Sequence, residues 1–212
     1  LRKTIVTVEG ERDAIFLREI TYPLFQTASV QLYKKALLFY DDIRAGKQTD
    51  ISILYGTGFP GCMELAVHLS RELWYIEDFH SIGVIADSDR GPVYQKLRAY
   101  LRNYLNTPCK KHSINPQITE HDPENLIEIS FNQEHSIILW ALEIQDSLEI
   151  QLARVLKNKY PTLKKCKSED EVIDTACKKL KPLSDLIKEA IKVWKEESWF
   201  KNLCKALKER VN

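Results

Sequence analysis

An apolar run at residues 82–89 (IGVIADSD) ends in two aspartates two apart, Asp87 and Asp89, and an earlier β-branched run at residues 4–8 (TIVTV) ends in Glu9-Gly10. Carboxylates at strand exits are the residue types that hold a hard cation. In a turn, Asp87 and Asp89 can converge on one ion, and an all-oxygen set completed by Glu9 suits Mg²⁺ or Mn²⁺, which keep positions open for water and phosphate oxygens. Three such charges at one sheet edge repel one another strongly unless a metal neutralises them. Gly10, Gly56 and Gly58 would let backbone approach a phosphate. Each signal also has a plainer reading: Asp-x-Asp is a common loop or capping arrangement, and Glu-Gly or Gly-x-Gly closes many turns.

The elements that would position these residues repeat a pattern. Residues 4–8 form a strand, and from Glu11 the apolar positions Ile15, Phe16 and Ile20 recur at helical spacing. A second strand at 51–55 leads through the turn GTGFPG into an apolar helix reaching Trp74. A third, at 82–86, leads through Asp87-Ser88-Asp89 into a helix over 92–105. Three strand-turn-helix units in succession predict a mainly parallel sheet with helices on its faces, an α/β Rossmann-like fold. Such sheets bind ligands beyond the carboxyl ends of their strands, where Glu9, the glycine turn and Asp87/Asp89 would all lie.

Residues 22–46 place Leu32, Ala36, Leu37 and Tyr40 on one helical face, which predicts a helical insertion over about 22–50. Further on, 126–131 and 136–142 read as paired strands around Asn132, Gln133, Glu134 and His135, followed by a helix over 146–156. From Ser168, an N-cap followed by Glu169-Asp170-Glu171, the pattern is helical to the end with a break at Pro182. The expected organisation is an α/β domain over 1–164 and a helical C-terminal extension over 165–212.

Two segments carry a resemblance. VEGERD, Val8 to Asp13, resembles the first motif of Toprim domains, and IADSDR, ending at Arg90, resembles the second. The context ILYGTGFPGCMELAVHL and the later WALEIQDSLEIQL are similar to compact OLD-like archaeal and bacterial Toprim proteins of unassigned function, in which a strand is followed by Leu-Glu; Leu148-Glu149 is the matching pair. The likeness spans roughly the first 155 residues. It implies a Toprim-like fold, Mg²⁺ (or Mn²⁺) held by Glu9, Asp87, Asp89 and Glu149, and Glu9 as general acid/base or metal-associated carboxylate. It further implies nuclease-like phosphodiester hydrolysis with nucleic acid as partner. A non-catalytic module that binds metal, nucleotide or nucleic acid at the same acidic site is the alternative. Asp13, one helical turn beyond Glu9, would orient a neighbour such as Arg12 or Arg90, or stand as a plain surface charge.

Other chemistries are poorly served. There is no Walker motif, zinc ribbon or nucleophilic tyrosine module, and the late position of Asp-x-Asp counts against phosphatases of the haloacid dehalogenase type. His121 beside Glu120 and Asp122 could bind metal, but a polar loop is the preferred reading; His68, His80, His112 and His135 are dispersed. Trp140, Trp194 and Trp199 read as core in preference to base-stacking platforms.

Composition sets the remaining bounds. With Lys+Arg 31 against Asp+Glu 30 in 212 residues, any basic surface for nucleic acid must be local. Lys157, Lys159, Lys164, Lys165, Lys167, Lys178, Lys179 and Lys181 cluster as a phosphate-facing patch or, more plainly, a solvated helix face. Five scattered cysteines without CxxC spacing fit reduced thiols in a cytoplasm. No apolar run approaches a membrane span, so no membrane partner is expected. The oligomeric state leaves no mark on the sequence.

Overall fold

The computed structural model describes residues 3–47, 49–73, 79–105, 116–130 and 135–211. Strand β1 (Lys3–Val8) leads into α1 (Glu11–Leu24), β2 (Val30–Tyr33), α2 (Ala36–Arg44), β3 (Ile51–Leu54), α3 (Gly58–Glu72) and β4 (Phe79–Asp87). After α4 (Val93–Leu105) come β5 (Gln117–His121), β6 (Leu126–Ser130) and β7 (Ser136–Ile144), then α5 (Leu148–Lys159), α6 (Glu169–Lys179), α7 (Leu183–Trp194) and α8 (Ser198–Val211).

The strands form one sheet in the order β2-β3-β1-β4-β7-β6-β5. From β2 to β7 every pairing is parallel, and β6 and β5 add an antiparallel edge. The chain winds outward from β1 to β2, returns to β3 and then crosses to β4, so β1 and β4 flank the point where the order reverses. The fold is α/β and Rossmann-like.

Period-two alternation divides the core into two layers. Val6, Val8 and Ile85 face α1, α5, α6, α7 and α8, whereas Ile5, Ile82 and Val84 face α2, α3 and α4. Covered on both sides, the central strands need the mainly apolar runs that their sequences supply. The C-terminal helices belong to the first layer. Val172, Ile173, Leu186, Ile187 and Trp194 share one buried cluster with Val6, Ile85 and Trp140, and Phe16 of α1 meets Trp194 edge-on with ring centroids 5.7 Å apart. Trp140 and Trp194 are core, as expected, and Trp199 is half-buried.

Trp140 imposes one close fit. Its ring lies across β4, its Nε1 donates to Ser81 Oγ at 2.7 Å, and a Cβ built on Gly83 would stand 2.2 Å from ring atoms. Ser81 Oγ in turn donates to the carbonyl of Arg210 at 3.3 Å, so the same contact joins α8 to the sheet.

Several expectations need correction. Residues 22–50 are not a helical insertion, because Val30–Tyr33 is an edge strand paired with β3 and only 36–44 is helix between them. The helical spacing of Leu32, Ala36, Leu37 and Tyr40 was coincidental: Leu37 is 62% exposed, and Phe39 is the residue of α2 that enters the core. A four-residue edge strand is too short to show its period. The sequence does not reveal strand β5, which ends at His121, since its five residues are polar at four positions and sit at the other edge. Neither acidic neighbour of His121 is free for a metal: Arg102 bonds Glu120 Oε1 at 2.7 Å, and Arg98 lies 3.3 Å from Asp122 Oδ2. The helix expected over 146–156 starts at Leu148, because Asp146 takes a left-handed φ of 61° and Ser147 caps the helix by accepting from the Ile150 N–H. The pairing of β6 with β7 and the cap at Ser168 are as expected. Trp74, Cys109, His112, Phe131 and residues 132–134 lie outside the described residues.

Candidate carboxylate centre

Four carboxylates from four segments come within electrostatic reach of one another at the carboxyl ends of β1 and β4. Val8 pairs with Ile85, so Glu9 leaves β1 beside the end of β4, where Asp87 follows the same alternation as Ile85 and turns toward α5. Asp87 is 8% exposed, and its Oδ1 accepts the N–H of Leu148, the first residue of α5, at 3.2 Å. That helix end carries partial positive charge and is a natural seat for an anion. Glu149 follows in the same turn. Asp13, in the first turn of α1, completes the set.

The charges act on each other. Burial, then the charge of Asp13, with Glu149 and Glu9 adding, pushes the Asp87 carboxyl up to about 8 despite the opposing Leu148 N–H. Burial, then Glu149, pushes Asp13 up to about 7, with Glu9 adding and the Gly10 N–H opposing. Beneath them the thiol of Cys62, in α3, is pushed up to about 12 by burial and by Glu9.

The surrounding backbone is tightly tied. Asp13 Oδ2 accepts the Gly10 N–H at 2.9 Å, so this side chain fixes the β1–α1 turn and does not orient Arg12 as expected. Arg12 instead lies 3.5 Å from Glu149 Oε1, bonds Asp170, and reaches Asp174 at 3.1 Å, which draws α6 toward the centre. Gly56 and Gly58 donate their N–H groups to the Glu9 carbonyl at 3.3 and 3.0 Å. The three glycine amides that a phosphate cradle would offer are thus engaged internally. Gly56 is needed for another reason: its φ of +92° belongs to the left-handed region, and a Cβ there would stand 3.3 Å from the Lys34 carbonyl. On the far side, Ser88 Oγ accepts the Asp146 N–H at 2.9 Å and the Asp89 N–H donates to the Asp146 carbonyl at 3.3 Å, which laces the β4 exit to the β7–α5 loop.

Of the residues picked from sequence, Glu9, Asp87 and Glu149 are therefore brought together. Asp89 sits further out, exposed in a single 3-10 turn over Ser88–Arg90. Asp13 belongs to the centre itself, and its position at the third residue of a helix after Gly10 was the signal that could have found it.

All donors here are oxygens, Asp87 buried and Glu9, Asp13 and Glu149 half-buried, and they repel one another, which is the chemistry a hard divalent cation relieves. The fit is one of donor type and charge and not of a preformed cage: among the described residues no group of three or more His, Cys, Asp or Glu is arranged to hold a metal ion.

The raised carboxyls give a signed pH dependence. From the ordinary carboxylate range up to about 7 for Asp13 and 8 for Asp87, the folded chain holds protons that the unfolded chain has released. Their contribution to stability is full below the ordinary range and falls away as pH rises through that window. Glu189 works oppositely: hydrogen bonds from Lys181, Lys159 and Tyr160 hold it down at about 2, and its contribution disappears as pH falls toward that value. In EDTA the melting temperature should peak within the ordinary carboxylate range, at about pH 4, and decline from there toward alkaline pH. Saturating Mg²⁺ should flatten the decline. Thermal melts across this range check the prediction, and a metal-free profile that stays level on the alkaline side contradicts it.

The architecture defines a class, a Rossmann-like α/β protein with a mainly parallel sheet and acidic residues at its switch point. No protein-family model and no curated protein matches the sequence. Among solved structures, the chain is similar to the crystal structure of a hypothetical protein, PH0156, from Pyrococcus horikoshii OT3, with a TM-score of 0.57 and 14% identity over 99% of this chain and 95% of that one. At that identity the likeness concerns the fold. Four cysteines, Cys62, Cys166, Cys177 and Cys204, are free thiols, and no helix among the described residues is long and apolar enough to cross a membrane.

Proposed function

We propose that this chain is a Mg²⁺-dependent phosphodiesterase of Toprim type that acts on nucleic acid as a nuclease. The observation that carries the reading is the convergence of Glu9, Asp13, Asp87 and Glu149 at the carboxyl ends of adjacent parallel strands, where burial and mutual repulsion raise two of the four carboxyls toward or above neutrality. Residues that raise one another's proton affinity in this way exchange protons for a cation as pH rises.

Asp87 and Glu149 would hold the ion with Glu9, and Asp89 would extend the set at its exposed rim. The ion would polarise the phosphoryl group and offset charge developing on the attacking and leaving oxygens. The chain's own groups supply the rest. Glu9 would hold and return the proton of the attacking or leaving oxygen. Asp13, bonded through Oδ2 to the Gly10 N–H, would position Glu9 by fixing the turn that follows it. The N-terminus of α5, bonded to Asp87, would keep that carboxylate aimed from β4 toward the centre.

Asp89→Ala tests the reading with little risk to the fold, since the side chain is exposed. The expected result is loss of Mg²⁺-dependent cleavage on a panel of single-stranded DNA, duplex DNA and RNA, with an unchanged melting temperature in EDTA. Unchanged cleavage refutes the assignment. A second reading, a binding module without turnover, draws on the lack of a preformed cage and on the engagement of Asp87 by the Leu148 N–H. It predicts Mg²⁺ binding by calorimetry and no cleavage of any substrate on the panel.

A further inference from the structure

A cleft of about 440 Å³ opens beside the carboxylate centre, between the exits of β4 and β7 and the first turns of α8. Its size lies within the usual range for small-molecule sites. Helix α8 lines it with Trp199, Asn202 and Leu203, and the strand exits line it with Ser88, Leu142 and Gln145. Glu143 also borders it, but its Oε1 accepts the Val93 N–H at 2.9 Å.

Trp199 packs at the margin of the core and is partly exposed. Its Nε1 donates to Glu197 Oε2 at 2.7 Å, and it meets Trp194 and Phe200 edge-on at 5.5 and 5.6 Å, so its plane is fixed while the ring stays half-exposed. Glu197 is itself bonded by Arg154 of α5 at 2.6 Å, which adds a second restraint from a different helix. A restrained aromatic ring in a cleft that also carries neutral donors and acceptors is the chemistry that recognises a nucleobase: the ring stacks on its face, and serine and amide groups meet its edge. The cleft also adjoins the place where a phosphate would be engaged, because Ser88 lies between Asp87 and Asp89, and Gln145 precedes the Asp146 that is bonded to Ser88.

We infer that this cleft is a subsite for an unpaired base of a single-stranded nucleic acid, seated on Trp199 and read by Asn202, Gln145 and Ser88. The inference rests on the phosphodiesterase reading for its orientation and names the substrate class of that centre. A base paired within a duplex cannot enter, so α8 would select single strands or frayed ends.

Binding of fluorescein-labelled oligothymidylate is compared with that of an all-abasic backbone of the same length, in Ca²⁺ to suppress turnover. The wild-type chain should bind the base-bearing strand about tenfold more tightly. Trp199→Ala and Asn202→Ala should each remove most of that preference. Trp199 packs on Trp194, so the exposed Asn202 provides the variant in which folding is not in question. A large excess of thymidine monophosphate separates the two forms in which such a base arrives: displacement points to a free nucleotide, retention to a base within a strand, and both support a base site. Equal affinity for the two polymers, no binding of either, or variants that keep the full preference overturns the inference. Failure of the carboxylate reading registers separately, as absent heat on Mg²⁺ titration.

Discussion

Asp87→Asn should abolish Mg²⁺-dependent cleavage, by on the order of a thousandfold or more, while raising the melting temperature of the metal-free chain at pH 8. The two effects have one cause. Asp87 is 8% exposed in the field of Asp13, Glu149 and Glu9, so its charge is costly to the folded state, and its carboxyl titrates at about 8. Asparagine removes the charge but keeps an oxygen to accept the Leu148 N–H, so the cap of α5 survives. Relief of about 1–2 kcal/mol would raise the melting temperature by a few degrees in a chain of this size. The gain should shrink toward pH 5, where the wild-type carboxyl is already protonated in the fold. Activity assays and melts at both pH values check the pair. Retained cleavage would remove Asp87 from the chemistry, and an unaltered melting temperature at pH 8 would show that its charge is not destabilising.

Gly83→Ala should be the most damaging small substitution in the sheet, costing about 3 kcal/mol or more. A methyl at this position would stand 2.2 Å from Trp140, whose ring is pinned by its bond to Ser81 and buried between β4 and the C-terminal helices. Neither partner can retreat without breaking β4–β7 pairing or disturbing α8. A double-mutant cycle with Trp140→Leu gives the decisive measurement. The smaller side chain makes room for the methyl, so the combined loss should fall short of the sum of the single losses by at least about 1 kcal/mol. Additive losses in denaturant unfolding would mean that the ring is not what excludes the methyl.

The strands that carry the centre were legible because their sequences are unusual. TIVTVE is a β-branched run and IGVIAD an apolar one, each ending in a carboxylate, and a parallel strand covered on both faces both requires such a run and places such an ending at a ligand-binding edge. The edge strands were not legible for the complementary reason. Short and at the two edges of the sheet, Val30–Tyr33 and Gln117–His121 carry no distinctive run, and pairing on one side makes them strands. Residues 22–46 therefore read as helix although a strand and a shorter helix occupy them.

Local sequence determined the central strands, the cap at Ser168 and the candidacy of Glu9 and Asp87, because each depends on neighbours within a few residues. Only the tertiary structure decided which carboxylates share a field. Asp13 joins the centre because α1 begins directly after β1, the strand paired with β4, Asp89 stays at the rim because a 3-10 turn carries it outward, and Trp199 borders a cleft because α8 returns to the exit of β7. Coulombic coupling and burial depend on distance in space, and residues as far apart in the chain as 13, 87 and 149 acquire that distance only when the sheet closes around its core.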